Sequence, residues 1–288
     1  MKRLTPEVAD AISRLKPKAT YSDHTIPGAL DILAEYISAQ QRGAVLHPAL
    51  DLTAVLSGKR DQAFIRELLK DSLAWVSFFH ESVLARISLW TNEVVSGFNE
   101  SSYARVLFAT RALLELFLYT LNVYRKIYDL HEKSKSGTPT EAIAKQFQIR
   151  DLLLTQARAA RINWDDPFGS DWKAVRDGLE QTNVLTLIAK LPTETRNQVE
   201  HWYAVLSDAC HPNFGSTLLV LDFEQLSDDP LTLAFSESSA TPEHLQLVVD
   251  LSSAPLCFAW LQSVSFLRVI DRIRNHYSEG IGRFGAAT

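Results

Sequence analysis

Cysteine and methionine are scarce in this chain of 288 residues, which has two of the first and one of the second. Cys210 and Cys257 cannot build a disulfide framework, and no Cys/His spacing of the zinc-finger kind occurs, so a reducing, cytoplasmic setting is expected. An unbroken apolar run of the roughly 20 residues that a membrane span needs is also missing. The longest apolar segments, 106–118 and 254–270, are bounded or interrupted by Arg105, Arg111, Glu115, Gln262 and Arg268, and they read as buried core helices. The first residues carry Asp10 and Arg14 where an export signal would be apolar, so neither export nor a membrane partner is expected.

Chemical signatures are missing as well. There is no P-loop, no G-x-G-x-x-G, no G-x-S-x-G, no H-E-x-x-H and no Ca²⁺ loop, which disfavours nucleotide triphosphate hydrolysis, dinucleotide redox chemistry and zinc proteolysis. No cofactor and no metal are expected. Charge of one sign is not in excess: 29 Lys+Arg stand against 34 Asp+Glu for a net charge of -5. That excludes a dedicated DNA-coating protein while leaving room for a local basic patch that touches RNA. No repeat, linker or low-complexity stretch divides the chain.

What the sequence has is helical period. Phe64, Ile65, Leu68, Leu69, Val76, Phe79, Val83 and Ile87 recur at three- and four-residue steps, predicting one long helix or two with a tight break between about Asp61 and Val95. Gly97-Phe98-Asn99 reads as a breaker, and Ser101 or Ser102 as the cap of a second, central helix that ends before Ser134–Pro139. Thr138-Pro139-Thr140-Glu141 opens a third helix to about Ala160. Short helices are expected at Asp171–Gly178 and Val184–Lys190, and a longer one at about Thr195–Cys210, stopped by Pro212. A final helix or helix pair starts at Pro242-Glu243, kinks at Pro255 and closes at Gly280. Thr217–Phe223 and Leu231–Phe235, with Ser227-Asp228-Asp229-Pro230 between them, predict a β-hairpin. The expectation is a mainly α protein: an N-terminal helical extension over residues 1–58 and a helical core over 59–288 with the hairpin near 217–235. Trp164, Phe168 and Trp172 lie among aspartates, which repel phosphates, so they are read as pinning a loop to the core rather than stacking on bases.

Two polar constellations stand out. Arg111 and Glu115 sit one turn apart inside the apolar central helix. They form either an ordinary surface ion pair or a buried pair that orients a group on another helix, since a buried guanidinium needs a partner. Tyr203, Ser207 and His211 follow at steps of four, placing a phenol, a hydroxyl and an imidazole in one row that could hydrogen-bond in series. The plain alternative is that Ser207 bonds back to its own helix and His211 caps it.

Arg111-x-x-x-Glu115, followed about ninety residues later by Tyr203-x-x-Leu206-Ser207-x-x-x-His211-Pro212, resembles a family of uncharacterised bacterial all-helical proteins distantly related to the HEPN superfamily. The resemblance covers about Arg60–Arg274. Arg196-Asn197-Gln198-Val199-Glu200-His201 also looks like the HEPN ribonuclease motif. The resemblance implies a HEPN-like bundle that cleaves RNA without metal at a dimer interface, in a toxin or anti-phage defence system, with Arg196 and His201 as catalytic positions and Asn197 as the polar neighbour. Histidine would move the proton and arginine would hold the phosphate. Along one helix, however, five steps separate Arg196 from His201 by roughly 140°. Three readings follow: an RNA-targeting, metal-independent ribonuclease; a non-catalytic helical sensor or protein-interaction module, using Arg111, Glu115, Tyr203, Ser207 and His211 and working as a homodimer or with a partner protein; and, last, a metal-dependent hydrolase, for which no Glu-x-x-His pair is present.

Overall fold

The computed structural model describes residues 1–40, 51, 61–158, 182–211 and 241–285. Among the described residues every regular element is an α-helix: α1 (Pro6–Arg14), α2 (Ile26–Ala39), α3 (Gln62–Asn99), α4 (Tyr103–Ser136), α5 (Pro139–Arg158), α6 (Val184–Ala189), α7 (Thr193–Cys210) and α8 (Pro242–Gly285). The hairpin expected near 217–235, the short helix at 171–178, the aromatic loop at 164–172 and Pro212 lie outside the described residues. The protein is mainly α, as the period indicated.

Helix ends are set by local chemistry. Asp61 Oδ1 accepts from the Phe64 N–H at 3.0 Å to open α3. At α5, the Glu141 carboxylate accepts from the Thr138 N–H at 2.7 Å while Thr138 Oγ1 accepts from the Glu141 N–H at 3.4 Å, a reciprocal capping box. Two expected stops are corrected. The helix α3 runs through Gly97 to Asn99, and α8 runs past Gly280 to Gly285. Both glycines serve close approach instead: a Cβ on Gly97 would lie 2.8 Å from Val106 Cγ2, and one on Gly280 would lie 3.1 Å from Leu69 Cδ1. Pro255 is carried inside α8. The α3–α4 corner is only Glu100–Ser102, with Ser101 at φ 55 and the Ser102 N–H bonded to Gly97 O at 2.7 Å.

The chain divides into two compact units, and α3, α4 and α8 each contribute a segment to both. The first comprises Met1–Gln41, Leu84–Leu118 and Val184–Val264. Its core is built from Leu33, Val95, Val106, Leu107, Leu114, Leu206 and Leu256, all fully buried. Phe258 is an aromatic hub, meeting Tyr21 at 5.0 Å, Phe117 at 4.9 Å and Trp202 at 5.4 Å. The indole of Trp260, wholly buried, donates to Thr91 Oγ1 at 3.0 Å and so joins α8 to α3.

The second unit comprises Arg42–Val83, Tyr119–Asn183 and Ser265–Thr288. Val76, Ile127, Ile149, Ile270 and Tyr277 form its centre. Its buried carboxylate Glu67 accepts from Lys70 at 2.8 Å, from Arg66 at 3.2 Å and from the Asp51 N–H at 2.9 Å. Burial works against that charge, but these donors together outweigh it and hold the pKa below the usual carboxylate range. The helices α4 and α8 are long and apolar enough to cross a membrane, yet 61% and 72% of their apolar windows are already buried inside the protein. That agrees with their reading as core helices.

Candidate functional site

In the first unit the two polar constellations meet. Arg111 on α4 donates from Nε to Glu115 Oε1 at 3.1 Å and from Nη2 to Tyr203 Oη on α7 at 3.3 Å. The guanidinium carbon also lies 5.3 Å from the centre of the Tyr203 ring, within cation–π range. Two residues 92 positions apart are therefore locked together, and the arginine is matched rather than stranded. Burial opposes its charge, but Tyr203 and then Glu115 outweigh that effect, so its pKa is raised. Side-chain exposures of 24% for Arg111 and 36% for Glu115 place the cluster at the half-buried margin of the unit.

Cys210 joins the cluster from the last turn of α7. Burial raises its pKa, while the charge of Arg111 and a hydrogen bond to it pull in the other direction. Sequence spacing does not single out this thiol, because its neighbour His211 points roughly 100° away around the helix. Its link is to Arg111 on α4, far away in sequence, and no local spacing announces it.

The row Tyr203–Ser207–His211 does not act as a relay. Tyr203 Oη is engaged by Arg111. Ser207 Oγ is buried with no hydrogen-bond partner among the described residues, so it does not bond back to its helix either. His211 closes α7 through its backbone N–H, bonded to Ser207 O at 3.1 Å and Asp208 O at 3.3 Å. Its side chain is exposed and forms no hydrogen bond or ion pair among the described residues, so no bond ties it to the Arg111 cluster.

Arg196, Asn197 and His201 occupy the first half of α7. The buried stripe of that helix is Val199, Leu206 and Ala209. Arg196, three residues before Val199, is half-buried beside this stripe, whereas His201, two residues after it, is exposed on the far side, as is Asn197. The same helix bears Glu194, Glu200 and Asp208 against the single Arg196. Its surface is acidic, and an acidic surface repels phosphodiesters.

The second unit holds a further polar group. His80 is wholly buried; its Nε2 lies 3.2 Å from Asp271 Oδ1, and its Nδ1 lies 3.1 Å from Arg274 Nη1 and 3.3 Å from Glu81 Oε1. An Nε2–H directed at Asp271 leaves Nδ1 to accept from Arg274, which also donates to Ser77 Oγ at 3.2 Å. No cluster of three His, Cys, Asp or Glu side chains able to hold a metal ion occurs among the described residues. Comparison of the chain with protein-family models, with curated proteins and with solved structures finds no match in any of the three.

Proposed function

We propose that this chain is a cytoplasmic helical recognition module of HEPN-like build, non-catalytic, with the Arg111–Glu115–Tyr203 cluster as its binding site for a second copy or a partner protein. The observation that carries this reading is the Arg111–Tyr203 contact. It unites the two motifs on which the family resemblance rests, at a half-exposed margin where a partner can reach them. Phe108, one turn before Arg111 and 53% exposed, supplies apolar surface beside it.

A second reading, the metal-independent ribonuclease of a toxin or anti-phage system, is favoured by one observation: Asn197 and His201 are open to solvent, as residues that meet an RNA backbone must be. The acidic character of α7 weighs against it.

Sedimentation of the purified chain over a range of concentrations, combined with photo-crosslinking from position 108 in cells, separates the two. The module reading expects a self-associated species or one defined crosslinked protein, weakened in Arg111→Ala and in Tyr203→Phe variants that retain wild-type helicity. It also expects a panel of RNAs to remain intact in EDTA. Association and adducts unchanged in both variants overturn the site. RNA cleavage in EDTA that disappears in His201→Ala overturns the module in favour of the nuclease.

A further inference from the structure

A second site lies in the other unit, independent of the Arg111 cluster. The C-terminal parts of α4 and α8 line a cavity of about 430 Å³, within the range of small-molecule sites. The two helices run in the same direction along it. Ring contacts join Tyr124 to Phe266 at 5.7 Å ahead of the cavity, and His131 to His276 at 5.1 Å and to Tyr277 at 5.4 Å within it. The lining residues therefore fall into matched levels: Tyr128 with Arg272 at one end, His131 with His276 in the middle, and Lys135 with Glu279 at the other end.

The two ends carry opposite charge. At the first, Arg272 is exposed and has no ion pair among the described residues, while Asp129, beside Tyr128 on α4, is bonded to Lys133 at 2.7 Å. At the second, two carboxylates face one ammonium. Lys135 is bonded to Glu132 at 2.7 Å, and Glu279 has no ion pair among the described residues. The buried His131 adds no charge between them at neutral pH, because burial, and after it Lys135 and His276, holds its pKa at about 4. Ile273 and the ring of His276 occupy the α8 wall between the ends. Arg272 and Glu279 lie seven residues apart on one face of α8, about 10 Å along its axis.

We propose that this cavity binds a short linear zwitterion, a free peptide of about three residues, with its carboxylate on Arg272, its ammonium on Glu279 and Glu132, and its chain across Ile273 and His276. The length follows from the spacing of the ends, since three extended residues span about 10 Å. Arginine suits the carboxylate because its planar guanidinium can donate two parallel hydrogen bonds to it. The same arrangement selects against other charged molecules of this size. A dianion would set its second charge against the two glutamates, and a diamine would set one of its charges against Arg272.

The test is calorimetric titration of the full chain with trialanine, with its N-acetylated and C-amidated forms, and with dialanine, at constant ionic strength. Saturable binding of trialanine is expected, about ten-fold weaker when either terminus is blocked, and weaker for the shorter dialanine. Arg272 and Glu279 are exposed, so Arg272→Gln and Glu279→Gln should leave thermal unfolding unchanged while lowering the affinity for trialanine about ten-fold each. The variants also assign the ends. Arg272→Gln should bind trialanine and its amide alike, and Glu279→Gln should bind trialanine and its acetylated form nearly alike. Lack of saturation by trialanine, blocked forms or dialanine that bind as tightly as trialanine, or variants that keep the wild-type preference for both free termini would each overturn the proposal.

Discussion

Acidifying this protein from pH 7 to pH 5 should destabilise it through His131. The imidazole is 2% exposed, and its pKa falls from 6.5 in an unfolded chain to about 4 in the native one, chiefly through burial and secondarily through Lys135 and His276. Because the native pKa is the lower, the unfolded state binds more protons between these values. The stabilising contribution is complete above pH 6.5 and is lost as pH falls toward 4. Integrated from pH 7 to pH 5, the linkage amounts to about 2 kcal/mol, and over the whole window to roughly 3 kcal/mol. Urea unfolding at pH 7, 6 and 5, compared between wild type and His131→Phe, isolates it. Phenylalanine keeps a ring against Tyr277, 5.4 Å from the His131 ring, and removes the titration. The carboxylates held at low pKa, Glu67 among them, lose their contributions at lower pH and are common to both proteins. The stability of the variant should decline over this range by about 2 kcal/mol less than that of wild type. Parallel declines would show that His131 is not held neutral by its surroundings.

Arg111→Ala should cost about 1–2 kcal/mol in urea, because Tyr203 Oη loses its donor but water can reach the half-exposed site. Glu115→Ala should cost less than about 0.5 kcal/mol, the ordinary worth of an exposed helical ion pair; equal losses in the two would mean that the Tyr203 contact contributes nothing. Gly97→Ala should destabilise by about 1–3 kcal/mol, since its methyl would meet Val106 Cγ2 at 2.8 Å with Ser102 O and Val106 N at 3.1 Å behind it; a thermal midpoint at or above that of wild type refutes the packing role. Thr138→Ala should remove about 1 kcal/mol by opening the cap of α5, checked by the same melt.

Helices and their starts were legible because they depend on residues close in sequence. The apolar steps from Phe64 to Ile87 and the Thr138–Glu141 box require nothing from the rest of the chain. Gly97 and Gly280 misled for one shared reason. A glycine reads locally as a stop, but here its missing Cβ admits a neighbour, Val106 in one case and Leu69 in the other, and only the packing reveals which use applies. The Arg111–Glu115 pair was visible as a four-residue spacing, whereas its bond to Tyr203 required two helices to be brought together.

A bundle of long apolar helices has a weakness: its contacts are nearly as good after one helix slides a turn along another. Hydrocarbon surfaces carry little positional information. The Trp260–Thr91 hydrogen bond supplies some, because in a slipped alignment the buried indole N–H would face carbon and strand a donor at a cost of roughly 1–3 kcal/mol. Position 91 therefore acts as an address label rather than a filler. Serine can stand there and keep the alignment unique, while valine, which has almost the same outline as threonine, leaves a core that fits but no longer distinguishes one alignment from the next.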